Sequence, residues 1–153
     1  MRRAAGCIVA VVLAGCGGHR GGEPPRCPPP IAAPAGFALT AELLDRLPDR
    51  IATRSSLADA RGRELHRFSG LEGEFGEGLP LVPPPLRLAD GSTARLLGSG
   101  RVWALVWRVD GPCARRAVFA SGFRRGAFLR VVAETGLLSD GRSSSPTGVG
   151  RRR

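Results

Sequence analysis

The chain has 153 residues, which leaves room for one small domain. It carries a formal net charge of +10, with 23 arginines and no lysine, tyrosine, asparagine or glutamine. The absent residue types use AT-rich codons, so the arginine excess reflects a GC-rich genome as well as any ligand, and charge alone is no nucleic-acid signature here.

Arg2 and Arg3 open the chain, followed from Ala4 to Gly15 by twelve uncharged residues that include Ile8, Val9, Val11, Val12 and Leu13. A membrane-spanning helix needs about 20 apolar residues, so this stretch has the proportions of a secretory signal. It ends in Leu13-Ala14-Gly15-Cys16. That tetrad resembles the bacterial lipobox. The resemblance implies a signal peptide over residues 1–15, cleavage before Cys16, and lipidation of Cys16 by diacylglycerol with further palmitate-type acylation. The protein is then exported and lipid-anchored to a bacterial membrane, the outer membrane if the cell has two, since Gly17 is not aspartate. An exported, lipidated protein rarely meets nucleic acid, so none is expected as its partner. Signal removal takes away Cys7 and lipid occupies Cys16, which leaves Cys27 and Cys113. Two thiols in an oxidising compartment are a candidate disulfide, with two free thiols as the alternative.

Residues 17–35 are more than half glycine and proline, so 16–35 reads as a lipidated tether that ends in a stiffer polyproline run. Residues 139–153 read as a disordered basic tail. The single domain falls at 36–138. The expected class is α+β, a small antiparallel β meander with one or two N-terminal helices. Thr40 is placed to cap a helix from Ala41, with Leu43, Leu44 and Leu47 on its apolar side. Residues 55–68 fit either a helix, by the spacing of Leu57, Arg61, Leu65 and Phe68, or a hairpin turning at Arg61-Gly62. An echo of Leu57-Ala58-Asp59 in Leu88-Ala89-Asp90 leans toward the hairpin. Leu71 to Gly78 is an acidic glycine-rich loop, and Pro80 to Pro85 is extended. Leu86–Ala89 and Thr93–Leu97 form a hairpin about Asp90-Gly91. Arg101 to Val109 is apolar on both faces and so a central strand. Ala114–Ser121 is a strand, and Phe128–Glu134 a last one, favoured over a helix by Val131-Val132.

Charge is uneven. Residues 36–80 hold six arginines against eight acids, and residues 87–130 hold nine arginines against two. The basic half supplies a candidate face for an anionic ligand: Arg95, Arg101, Arg108, Arg115, Arg116, Arg124 and Arg125. Its alternative is a solvated strand face. His66 with Glu64 is the one candidate acid/base pair, and no serine or cysteine is placed by sequence to complete a nucleophilic site. The histidines and cysteines lack zinc spacing, and Glu72, Glu74 and Glu77 lack an EF-hand pattern, so no metal or cofactor is expected. Trp103 and Trp107 share a strand face, as buried core or as a strip for sugar rings. The expected function is an envelope binding or structural module that engages an anionic polymer or another envelope protein, with a small envelope hydrolase or hydrolase accessory as the alternative.

Overall fold

The computed structural model describes residues 22–139. The signal segment, Cys16 and residues 140–153 of the expected tail lie outside them. Seven strands form one sheet: β1 (Phe37–Arg46), β2 (Ile51–Asp59), β3 (Glu64–Ser69), β4 (Leu81–Arg87), β5 (Thr93–Ser99), β6 (Val102–Arg108) and β7 (Arg115–Ser121). Helix α1 (Arg125–Glu134) follows. The order is β1-β2-β3-β7-β6-β5-β4, with every neighbouring pair antiparallel. Two meanders, β1–β3 and β4–β7, are thus joined side by side through β3 and β7.

The sheet is buried on both faces at its centre. One face carries Leu57, Leu65, Leu96, Trp103, Leu105, Trp107 and Val118, and α1 packs on it through Phe128 and Val132. The other carries Leu97, Ala104, Val106 and Ala117, covered by Phe75 and Leu79 of the loop after β3. β6 faces both layers, which explains its unbroken apolar run. Both tryptophans are core, and Trp103 Nε1 donates to the Phe123 carbonyl at 3.1 Å. They present no strip for a sugar ring.

The hairpin reading of residues 55–68 is the one that forms. β2 and β3 pair about the Arg61-Gly62 turn, where Gly62 has φ 71°. Asp59 holds that turn, accepting from the Arg61 and Arg63 amides, both at 2.9 Å, and from Arg63 Nε at 2.7 Å. Burial works to raise the Asp59 pKa, but the hydrogen bonds from Arg63 and Arg61 outweigh it and hold the carboxyl below its ordinary value of 3.8. A depressed carboxylate stabilises the fold above its unfolded value and loses that contribution as pH falls through its folded value. Asp59→Asn is therefore expected to remove part of the acid sensitivity below about pH 4, read as a shallower fall in urea midpoint on acidification.

Two expected elements are corrected. There is no helix at Ala41: residues 37–46 are β1, paired with β2 along its length. A ten-residue helix needs a buried side to persist. Leu43 and Leu44 remain 58 % and 49 % exposed, so none was on offer, whereas the β2 edge offered a full ladder. Thr40 sits at a bulge and its hydroxyl donates to the Ser56 carbonyl at 3.1 Å instead of capping a helix. The Phe128 segment is α1 and not a strand. Both edges of β7 are already taken by β3 and β6, so the chain leaving it has no place in the sheet, and Phe128 and Val132 stack at helical spacing. Gly136, at φ 75°, follows the helix end.

The segment expected as tether lies against the sheet from Pro25 onward. The Cys27 amide donates to the Ile51 carbonyl and the Ile51 amide to the Pro25 carbonyl, both at 2.8 Å. Cys27 and Ile31 are buried. Buried Arg67 clamps this leader, with Nε donating to Ser55 Oγ and Nη1 to the Ile31 carbonyl, both at 2.9 Å. Burial lowers the Arg67 pKa, with Glu42 opposing, and the guanidinium remains charged. Cys27 and Cys113 are joined in a disulfide, with Cα atoms 5.5 Å apart. Among the described residues no helix is long and apolar enough to cross a membrane.

Candidate anion-binding site

The β6–β7 hairpin turns through Asp110 to Cys113, closed by the Val109 amide donating to the Ala114 carbonyl at 2.8 Å. Its register sets Arg108 directly opposite Arg115. Arg95 on β5 stands opposite Val106, two positions away on the same face. The pleat therefore gathers Arg95, Arg108 and Arg115 at one end of one sheet face. Like charges directly opposite on paired strands repel, and an anion between them would relieve that cost.

The disulfide builds the wall beside them. Gly70 has φ 77°, and a Cβ there would lie 2.4 Å from Cys27 Sγ, so only glycine lets the loop pass this close. The Gly70 amide donates to the Arg115 carbonyl, and Arg50 Nε donates to the Gly70 carbonyl at 2.6 Å. Arg50 is fully engaged, holding both Asp49 oxygens at 2.7 and 2.9 Å and Glu72 at 3.2 Å. Arg115 Nη1 donates to the Gly73 carbonyl. The side chains of Arg95 and Arg108, both exposed, have no hydrogen-bond or ion-pair partner among the described residues. The resulting groove of about 620 Å³ is lined by Arg50, Arg108 and Arg115 and also by Asp49, Glu72 and Glu74, of which Asp49 and Glu72 are held by Arg50. A pocket of about 100 Å³ beside Phe75, where Arg95, Arg108 and Arg115 outnumber the one carboxylate, Glu74, continues it along the sheet. Two exposed guanidinium forks over a groove suit the bidentate grip of a phosphate or carboxylate.

The seven arginines read as one face are not one face. Arg101 and Arg124 lie at the opposite end of the sheet, in a groove of about 550 Å³ shared with Arg61 and Arg63. Arg63 is committed there to Asp59 at 2.7 Å and to the Phe123 ring, 4.7 Å from its centroid. Arg116 points to the face opposite Arg115, beside Trp107, with its Nε buried and unpaired. Arg125 is exposed in the first turn of α1.

His66 meets a residue not foreseen. Its Nδ1 lies 2.9 Å from Ser56 Oγ, and its Nε2 lies 3.5 Å from Glu64 Oε2. Ser56 and His66 are cross-strand partners. They stand symmetrically about the Arg61 turn, which was the signal available once the hairpin was chosen. Among the described residues no group of three or more acidic, histidine or cysteine side chains is arranged to hold a metal.

The chain matches no protein-family model, no curated protein and no solved structure. Its function is therefore read from the site alone.

Proposed function

We propose that the protein is a lipid-anchored envelope module that binds a phosphate-bearing anionic ligand in the Arg95–Arg108–Arg115 groove. The observation that carries this reading is the facing pair Arg108 and Arg115 beside an unpaired Arg95. The anchor rests on Leu13-Ala14-Gly15-Cys16, and the disulfide agrees with an oxidising compartment outside the cytoplasm. Cys27 lies at the groove end of the sheet, eleven residues from Cys16. That length spans at most about 40 Å, so an anchored groove works within reach of the bilayer surface.

The anchor predicts that globomycin accumulates the precursor and that Cys16→Ala abolishes fatty-acid labelling. Continued labelling of Cys16→Ala contradicts it. The groove predicts that the protein binds inorganic polyphosphate with a steep salt dependence. Replacing Arg108 and Arg115 together by glutamine is expected to weaken binding by about a hundredfold or more, on the order of 1.5–3 kcal/mol for each charge-assisted contact. Equal binding by the double variant contradicts the assignment.

A hydrolase is the second reading, and the Ser56–His66 contact is what favours it. All three groups of that constellation lie on strands whose amides serve the sheet, so β2 and β3 offer no spare donors for an oxyanion. A fluorophosphonate probe is expected to leave Ser56 unlabelled. Labelling of Ser56 that disappears in His66→Ala would instead establish the hydrolase.

A further inference from the structure

The two edges of the sheet are built differently. β4 carries Pro83, Pro84 and Pro85, which lack amide donors and block strand addition. β1 has ten residues, no proline, and three leucines about half exposed: Leu39, Leu43 and Leu44. Its outer edge has no partner among the described residues.

Hydrogen-bond directions along β1 follow from its hairpin with β2. The Leu47 amide donates to the Arg50 carbonyl, and Arg46 stands opposite Ile51. Both main-chain groups of Ile51 are used by the leader, away from β1. The antiparallel alternation then turns Leu43, Asp45 and Leu47 toward β2 and leaves the amides and carbonyls of Glu42, Leu44 and Arg46 pointing outward.

We propose that this edge pairs with β1 of a second copy, antiparallel about a two-fold axis at Leu44. Outward-facing residues must meet outward-facing residues, which leaves few registers. An axis at Glu42 or Arg46 sets like charges face to face. An axis at Leu43 or Asp45 sets a charge against leucine. The axis at Leu44 alone sets Glu42 of each copy opposite Arg46 of the other, twice by symmetry. It forms about six main-chain hydrogen bonds and brings the two Leu44 side chains together on one face. Glu42 and Arg46 now hold Arg26 at 2.6 Å and Glu23 at 3.0 Å in partly exposed pairs that contribute little and can re-partner, while Glu42 also faces the charge of buried Arg67. The dimer sheet has fourteen strands, with a proline-bearing β4 at both ends.

The test is light scattering over a concentration series, on residues 16–153 with Cys16→Ser to prevent lipidation. A concentration-dependent dimer is expected. Leu44→Pro removes an outward donor without touching the β1–β2 ladder, and is expected to leave a folded monomer by circular dichroism. Glu42→Arg or Arg46→Glu alone should raise the dimer dissociation constant by about tenfold, and the two combined should restore it to within about threefold. Three results overturn the proposal: a monomer at every concentration, a dimer indifferent to these changes, or a dimer that appears only when residues 140–153 are removed. In the last case the chain's own tail occupies the edge. If Leu44→Pro does not fold, the charge swap decides.

Discussion

Trp107→Ala is expected to cost about 3–5 kcal/mol, as large aromatic truncations in packed cores do. Trp107 is 3 % exposed and packs in the layer that α1 covers, opposite Ala94 on one side and Arg116 on the other. A small domain has roughly 5–15 kcal/mol in total, so the variant sits near the edge of folding. The urea midpoint should fall steeply with an unchanged slope. Val102→Ala on the same strand is the control: Val102 is 45 % exposed, and its loss should move the midpoint little. A midpoint equally indifferent to both would mean that the tryptophan layer is not core.

Loss of the disulfide is expected to be as damaging. Cys27 and Cys113 are 86 residues apart, and closing such a loop is worth about 4–5 kcal/mol in the chain-entropy model. The bridge also holds the leader beside Gly70 and the groove. Replacing both cysteines by alanine should lower the urea midpoint to a similar degree and make residues 22–35 the first site of proteolytic cleavage. Arg67 retains its hold on the Ile31 carbonyl, so the leader should detach from its Cys27 end. An unchanged midpoint together with a protected leader would mean that the bridge adds nothing to the fold.

These two sites also mark what was legible in the residues. β6 could be read because alternation and flanking turns are local, and the Asp90-Gly91 turn located one hairpin for the same reason, whereas residues 55–68 fit a helix as well as a hairpin until β2 and β3 are seen to pair. β1 could not. Thr40 and Leu43-Leu44-Leu47 satisfy helix rules locally, and what overrides them is the β2 edge, a partner no local pattern names. The α1 segment went the other way, because Val131-Val132 favours a strand only where a strand position is vacant. The leader was recognised as extended, but not that Ile31 and Cys27 pack into the fold. The basic half was visible as charge, yet counting arginines ignores the pleat: adjacent Arg115 and Arg116 point to opposite faces, and Arg101 lies a strand's length from Arg108. Ser56 entered the His66 cluster only through register.

The central claim is that Arg95, Arg108 and Arg115 together hold an anion. The most direct measurement is a titration of residues 16–153, with Cys16→Ser, against inorganic pyrophosphate, following the arginine Nε–H resonances by NMR. The Nε–H signals of Arg95, Arg108 and Arg115 should shift together and saturate, while that of Arg54, already beside Asp45 at 2.9 Å, stays in place. Shifts of equal size at Arg54, or no saturable shift at Arg108 and Arg115, would contradict the account.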